Sequence, residues 1–259
     1  MDALMLAGGT SEIDDPLFPY SQGTPKSLIE IAGKPLAQWV LDALNKSKTI
    51  ECIYIIGLEE SCGLTSRKPI RFYPDQDDVL ANVEFGFKEM KRMNPQSTHA
   101  LVTSSDIPMI TPEIVDWLVQ SANHLDKDIY YAVVERNTME TRFPGAHRTY
   151  LRLREGEYCG ADINVVKLAA LENEALWNRL ADSRKNPLKQ ATLIGFDTLF
   201  LLLIRRLTLK KAERMVSDRM GLQAEVIISL YAEIAMDVDK PHQLELLRPE
   251  LEKRKGSVS

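Results

Sequence analysis

The chain has 259 residues, of which 44% are hydrophobic and 27% charged, and its formal net charge is −5. That is ample material for a full core, while the acidic balance argues against a general nucleic-acid binder or a protein drawn to an anionic membrane surface. Cys52, Cys62 and Cys159 form no CxxC pair, which argues against a zinc knuckle or a disulfide framework and points to a reducing, cytoplasmic setting.

In chain order, residues 3–6 read as a short buried strand closed by Gly8-Gly9. The start "MDALMLAGG" has no basic residue ahead of its apolar run, so no signal peptide is expected. Pro35 suits the first turn of a helix, and Leu36, Trp39, Val40, Ala43 and Leu44 then repeat at helical spacing. "CIYIIGL" (52–58) reads as a second buried strand, and "VLANVEFGFKEMKRM" (79–93) as a helix with Val83, Phe87 and Met90 on one stripe. A strand at 100–103 ends in Ser104, Ser105 and Asp106, Pro112 opens the next helix, and 128–134 is a further strand. Residues 148–168 read as two strands around a turn at 155–157, running into a helix from 167 to about 181. The pattern over 187–220 is helical, 224–229 and 232–239 look like strands, and Pro241 starts a last amphipathic helix. The run "LFLLLI" (199–204) is far shorter than the roughly 18–20 residues a membrane span needs.

Alternating strands and helices, with continuously apolar strands, predict an α/β fold: a mostly parallel central sheet covered on both faces. Ligands bind such sheets outside the carboxyl ends of the strands, so Gly8-Gly9 and Asp106 are expected on one functional edge. No composition break divides the chain, and one domain over 1–259 is expected.

Candidate chemistry is sparse. Backbone amides at a glycine turn can approach a phosphate chain, and Lys26 adds a positive charge further along the loop, but neither GxxxxGK[ST] nor GxGxxG is present. Asp106, at a strand end, caps a turn or serves as a hard oxygen ligand for Mg²⁺. Asp237 and Asp239 would share a face on a strand, which favours a cation between them. His99, His124, His147 and His242 lack metal-ligand spacing.

Taken in order, "LAGG", "PKSLIEIAGKPL", "TSSDIP", "GADINVV" and "MDVDKPHQLELL" resemble the MobA-like nucleotidyltransferases, over residues 4 to about 247. These are GT-A-like, Rossmann-related enzymes that include molybdenum-cofactor guanylyltransferases, sugar-phosphate nucleotidyltransferases and cytidylyltransferases. The resemblance implies a three-layer α/β/α fold, with a nucleotide-binding half (1–135) and an acceptor-binding half (136–247) that carries a helical elaboration at 187–220. It implies that Leu6, Ala7, Gly8 and Gly9 wrap a nucleoside triphosphate, that Lys26 reaches its phosphates, and that Asn82 contacts base or ribose. Asp106, with Asp237 or Asp239, would hold Mg²⁺ (or Mn²⁺), and Gly160 and Asn164 would lie in the acceptor pocket. Two departures stand out. The family's loop continues GxGxRM, whereas residues 8–26 contain no arginine and three acids, Glu12, Asp14 and Asp15; and Gly160-Ala161-Asp162 replaces the usual glycine pair.

The expected activity is transfer of a nucleotidyl group from an NTP, CTP slightly favoured, to a phosphorylated small molecule with release of pyrophosphate (EC 2.7.7 type). Neither nucleic acid nor a transmembrane segment is expected to take part, and assembly as a homodimer is left open. Alternatives are a molybdenum-cofactor guanylyl- or cytidylyltransferase, a GT-A glycosyltransferase, and a non-catalytic nucleotide-binding protein.

Overall fold

The computed structural model describes residues 1–9, 12–122, 124–172 and 206–256. In chain order its strands are β1 (Asp2–Leu6), β2 (Glu30–Ile31), β3 (Lys34–Pro35), β4 (Ile53–Ile56), β5 (Ile70–Tyr73), β6 (His99–Ser104), β7 (Ile129–Glu135), β8 (Leu151–Arg152), β9 (Glu157–Gly160), β10 (Ile163–Lys167) and β11 (Ala224–Ser229). The helices are α1 (Phe18–Ser21), α2 (Leu36–Lys46), α3 (Val79–Met93), α4 (Pro112–Ser121), α5 (Arg136–Arg142), α6 (Leu209–Met220) and α7 (Pro241–Gly256).

Among the described residues, nine strands form one sheet in the order β5-β4-β1-β6-β10-β7-β9-β8, with β11 joined to the free side of β7. β5, β4, β1 and β6 are parallel neighbours, as are β7 and β11, while β10 and β9 run against the rest. The mostly parallel α/β architecture expected from the sequence is therefore present.

Alternation along β1 divides the core. Ala3 and Met5 face one layer with Leu36, Val40 and Leu41 of α2, Ile114 and Leu118 of α4, and Leu244 and Leu247 of α7. Leu4 faces the other, with Tyr54, Ile56, and Phe87 and Met90 of α3. Helix starts are set locally. Asp78 caps α3 by accepting from the Leu80 and Ala81 N–H groups at 2.7 and 3.1 Å, and Thr111 caps α4 ahead of Pro112.

Three details differ from the sequence reading. β5, "IRFY", has mixed polarity and gave no strand signal, yet it extends the sheet beside β4 as its edge. Residues 232–239 are not a strand: Ala232–Ala235 form a 3₁₀ turn and the rest crosses the ends of other strands. The Val238 N–H donates to the Asp106 carbonyl at 3.0 Å and the Ile234 carbonyl accepts from Asp162 N–H at 2.9 Å, so no ladder partner is left to make. The expected strand near 158–168 is broken in two: between Gly160, opposite Val133, and Val165, opposite Tyr130, residues 161–164 face only residues 131–132. The β9–β10 side is thus two residues longer than the β7 side, a bulge larger than the usual single extra residue.

The helix expected from 167 begins as a 3₁₀ stretch at Leu168–Glu172, and its remainder, with 187–205 of the expected helical elaboration, lies outside the described residues. α6 forms the end of that elaboration. Among the described residues no helix is long and apolar enough to cross a membrane.

Candidate active site

The carboxyl ends of β1, β4, β5 and β6 open on one edge of the sheet. After β1, Ala7 N–H still donates to the Ile56 carbonyl at 2.8 Å, and the Ala7 carbonyl accepts from the Ser27 hydroxyl at 3.0 Å. Gly57 follows β4 at φ +104, and a Cβ on it would sit 2.1 Å from the Gly8 nitrogen, so two backbones pass where only glycine fits. Gly8 itself lies against Asp75, whose carboxylate a Cβ would meet at 2.5 Å. Asp75 accepts from the Gly9 N–H at 2.9 Å and from the Asn82 amide at 2.8 Å. Asn82 is buried and its oxygen accepts from the Gln76 N–H at 2.8 Å. Both ends of Asn82 are thus committed to the loop after β5, and Asp75 is the polar side chain beside the Gly8-Gly9 turn.

Lys26 opens a short 3₁₀ turn, Lys26–Leu28, and its N–H donates to the Gly9 carbonyl at 3.4 Å, closing the long loop on itself. Its ammonium bonds Asp15 at 2.6 Å, with both side chains partly buried. Lys26 also lies near enough to Asp106 to favour that carboxylate's charge.

Asp106 stands at the floor of the cleft just past β6. Its surroundings are dense although part of the residue still meets solvent. It accepts a short hydrogen bond from the Ser104 hydroxyl. Burial, and next the Asp239 carboxylate, push its pKa above the ordinary carboxylate range, against the Ser104 bond and Lys26. The Asp106 carbonyl accepts from Val238 N–H, which brings the 237–239 segment alongside. Asp237 and Asp239 then part company. Asp237 is buried and forms a close ion pair with Arg148, whereas Asp239 is exposed and acts electrostatically on Asp106 and Asp162. The alternation of a strand would have put both on one face; the irregular backbone divides them.

The bulge supplies the next carboxylate. Because β10 runs against β6, its first residues arrive at the carboxyl end of β6, where the Asp162 carbonyl accepts from Ser104 N–H at 2.8 Å. Asp162 is pushed up to about 7, chiefly by burial, then by Asp106 and Asp239, with Arg148 opposing. Arg148 reaches Asp162 at 3.4 Å and the Gly160 carbonyl at 3.5 Å. Gly160 lies under Tyr131, whose hydroxyl would be 2.2 Å from a Cβ there. Asn164 accepts from Ala132 N–H at 2.8 Å and donates to the Ala161 carbonyl at 3.3 Å, so its amide fills the gap in the ladder that the bulge opens.

The structure therefore gathers Leu6–Gly9, Lys26, Asp106 and Asp239 at one edge and sets Asn82, Asn164 and Asp237 to hold backbone, Asp75 or Arg148. Asp75, Asp162 and Arg148 complete the arrangement. Asp162 had shown in the sequence only as an added charge, and nothing in its neighbourhood of the chain marks Arg148, whose partners are 14 and 89 residues away. Among the described residues, no group of three or more His, Cys, Asp or Glu side chains could hold a metal ion unaided. The Asp239 carboxylate raises the cost of charging Asp106, a cost that a divalent cation completed by phosphate oxygens and water would offset.

The profile of the MobA-like NTP transferase domain matches residues 3–224. A hypothetical transferase from Thermus thermophilus is 29% identical, with a TM-score of 0.80 over 94% of this chain and 100% of its own. CMP:2-keto-3-deoxy-manno-octonic acid synthetase complexed with CTP superposes with a TM-score of 0.58 at 12% identity, covering 98% of each chain. The 4-diphosphocytidyl-2C-methyl-D-erythritol synthase of Anaerococcus prevotii DSM 20548 gives 0.58 at 12% identity, over 97% of this chain and 95% of its own. The last two speak for the fold alone. No curated protein matches the sequence. The chain belongs to the MobA-like NTP transferase domain family.

Proposed function

From this membership we propose that the protein is a nucleotidyltransferase that moves an NMP group from an NTP to a phosphorylated small molecule and releases pyrophosphate. The observation that carries the reading is the convergence of the Gly8-Gly9 turn, Lys26 and the Asp106–Asp239 pair on the carboxyl edge of one sheet.

Leu6–Gly9 present backbone to the nucleotide, with no Cβ in the way at Gly8 and Gly9. An acceptor phosphate oxygen attacks the α-phosphorus in line, a new P–O bond forms, and the bond to the β-phosphate oxygen breaks. Lys26 neutralises charge on the phosphates. Asp106 and Asp239 would hold Mg²⁺ or Mn²⁺, which supplies further charge neutralisation when bound. A phosphate nucleophile is already an anion, so no general base is required of the chain. Residues 1–135 form the nucleotide side, and 136–247 the acceptor side around Gly160, Asp162 and Arg148. Three free thiols suit a cytoplasmic enzyme.

CTP is the first triphosphate to test, because "MDVDKPHQLELL" most resembles the tail of cytidylyltransferases. The experiment measures pyrophosphate release with each NTP across a panel of phosphorylated metabolites. Lys26→Ala and Asp106→Asn should each lower kcat by about 10²-fold or more with folding intact. Full activity in Asp106→Asn would remove the carboxylate from the mechanism. Nucleotide binding without pyrophosphate release would favour a non-catalytic nucleotide-binding protein instead, a reading to which the arginine-free loop lends weight.

A further inference from the structure

The loop between Gly9 and Lys26 is acidic, and one of its acids is not idle. Asp15 places one carboxylate oxygen 2.6 Å from the Lys26 ammonium, while its other oxygen accepts the Leu17 N–H at 2.8 Å. Its carbonyl also accepts from Phe18 N–H at 2.9 Å. The side chain keeps only 17% of its exposure, Lys26 30%. Asp15 is thus a fixed anion on the one lysine of this loop, close to where the Gly8-Gly9 turn would receive phosphates.

We infer that Asp15 is a built-in stand-in for a substrate phosphate: it holds Lys26 when no nucleotide is bound and must be exchanged for the triphosphate when nucleotide binds. The inference rests on the nucleotidyltransferase reading of the site. Exchange requires only that the flexible four-carbon stem of Lys26 rotate from one anion to another. A side-chain carboxylate carries one charge, a terminal phosphate up to two, so the phosphate wins when present, at reduced affinity. Holding Lys26 on Asp15 also keeps an uncompensated ammonium from binding other anions in the resting enzyme. The charge of Asp15 is favoured in place: burial opposes it, but the bonds from Lys26 and the Leu17 N–H outweigh that and keep its carboxyl below the usual range.

The test is titration calorimetry with inorganic pyrophosphate and Mg²⁺ on the full chain. Asp15→Asn is the informative variant, because the amide oxygen can still accept from Leu17 N–H while the negative charge is gone. It should bind pyrophosphate about fivefold more tightly than the wild type, the scale of one partly exposed ion pair removed from competition. In a Lys26→Gln background the gain should vanish. Equal or weaker binding by Asp15→Asn would overturn the inference and make Asp15 a residue that orients Lys26. A gain that persists without Lys26 would also overturn it, since the carboxylate would then act by repulsion alone. Wild type and Lys26→Gln binding equally would defeat the reading of the site itself, a separate result. Should the variant fold poorly, a crystal structure of the wild type with pyrophosphate decides: Lys26 must have left Asp15 for phosphate, and an intact Lys26–Asp15 pair beside bound pyrophosphate refutes the exchange.

Discussion

The two halves of the sheet reach the same edge by different means. In β5-β4-β1-β6 every neighbour is parallel and in unbroken register, and the loops that leave it are tied by backbone: Ala7 to Ile56, Ser105 to Leu6, Gly57 against Gly8. In the β10-β7-β9 part the strands are antiparallel, the ladder is interrupted, and charged or amide side chains bridge what the backbone leaves open. A turn that must wrap a chemically constant group, such as a phosphate chain, is well served by fixed main-chain amides. A pocket for a variable acceptor is better built from side chains, which change by substitution without disturbing the sheet. The seam between the two is where Asp106 and Asp162 meet.

Breaking the ionic side of that contrast should have the largest effect. Arg148→Ala leaves Asp237 buried without its counter-charge and should destabilise the fold by about 3 kcal/mol, read as a lowered denaturant midpoint. Replacing both partners, Arg148→Met with Asp237→Leu, should recover most of that loss, since an apolar pair avoids the desolvation penalty altogether. If the single and double variants are equally unstable, the pair does not organise this part of the sheet.

A smaller loss is expected at the bulge. Asn164→Ala removes the acceptor for Ala132 N–H inside the sheet, at about 1–2 kcal/mol. Hydrogen exchange should localise the change, with faster exchange at Ala132 and unchanged protection in β1 and β6. Uniform loosening of both halves would argue that the two parts of the sheet open as one unit.

The smallest effect sharpens the electrostatics of the seam. Asp162 is raised to about 7 in the folded chain against an ordinary value of 3.8. A folded value above the unfolded one means that the stabilising contribution is complete below about 4 and is lost as pH rises through about 7. The metal-free chain should therefore lose on the order of 1 kcal/mol, about 2–4 °C in Tm, between pH 6 and pH 8, allowing for the partial exposure of the side chain. Asp162→Asn should flatten that slope. An unchanged slope would assign it to other groups.

Local chemistry explains why some of this was legible beforehand. The helix starts just after Pro35 and at Pro112, the buried runs of β1 and β4, and the glycine turn ahead of Lys26 are set by neighbours in the chain, so spacing and residue type reveal them. β5 was invisible because an edge strand is only half covered and can be written "IRFY". The strand at 232–239 was misjudged because an apolar run signals burial, not a ladder, and here the burial comes from crossing the strand ends.

By itself the sequence determined the α/β class, the mostly parallel sheet, the family resemblance and the edge on which Gly8-Gly9 and Asp106 lie. Only the tertiary structure decided which acids share a field. Asp237 and Asp239 are two residues apart yet answer to different partners, while Asp106, Asp162 and Asp239 come together from three distant parts of the chain. Charge is felt through space and through the local dielectric, and neither is encoded in residue spacing. For the same reason Lys26 could be read as a phosphate ligand from its loop, but the anion already resting on it could not.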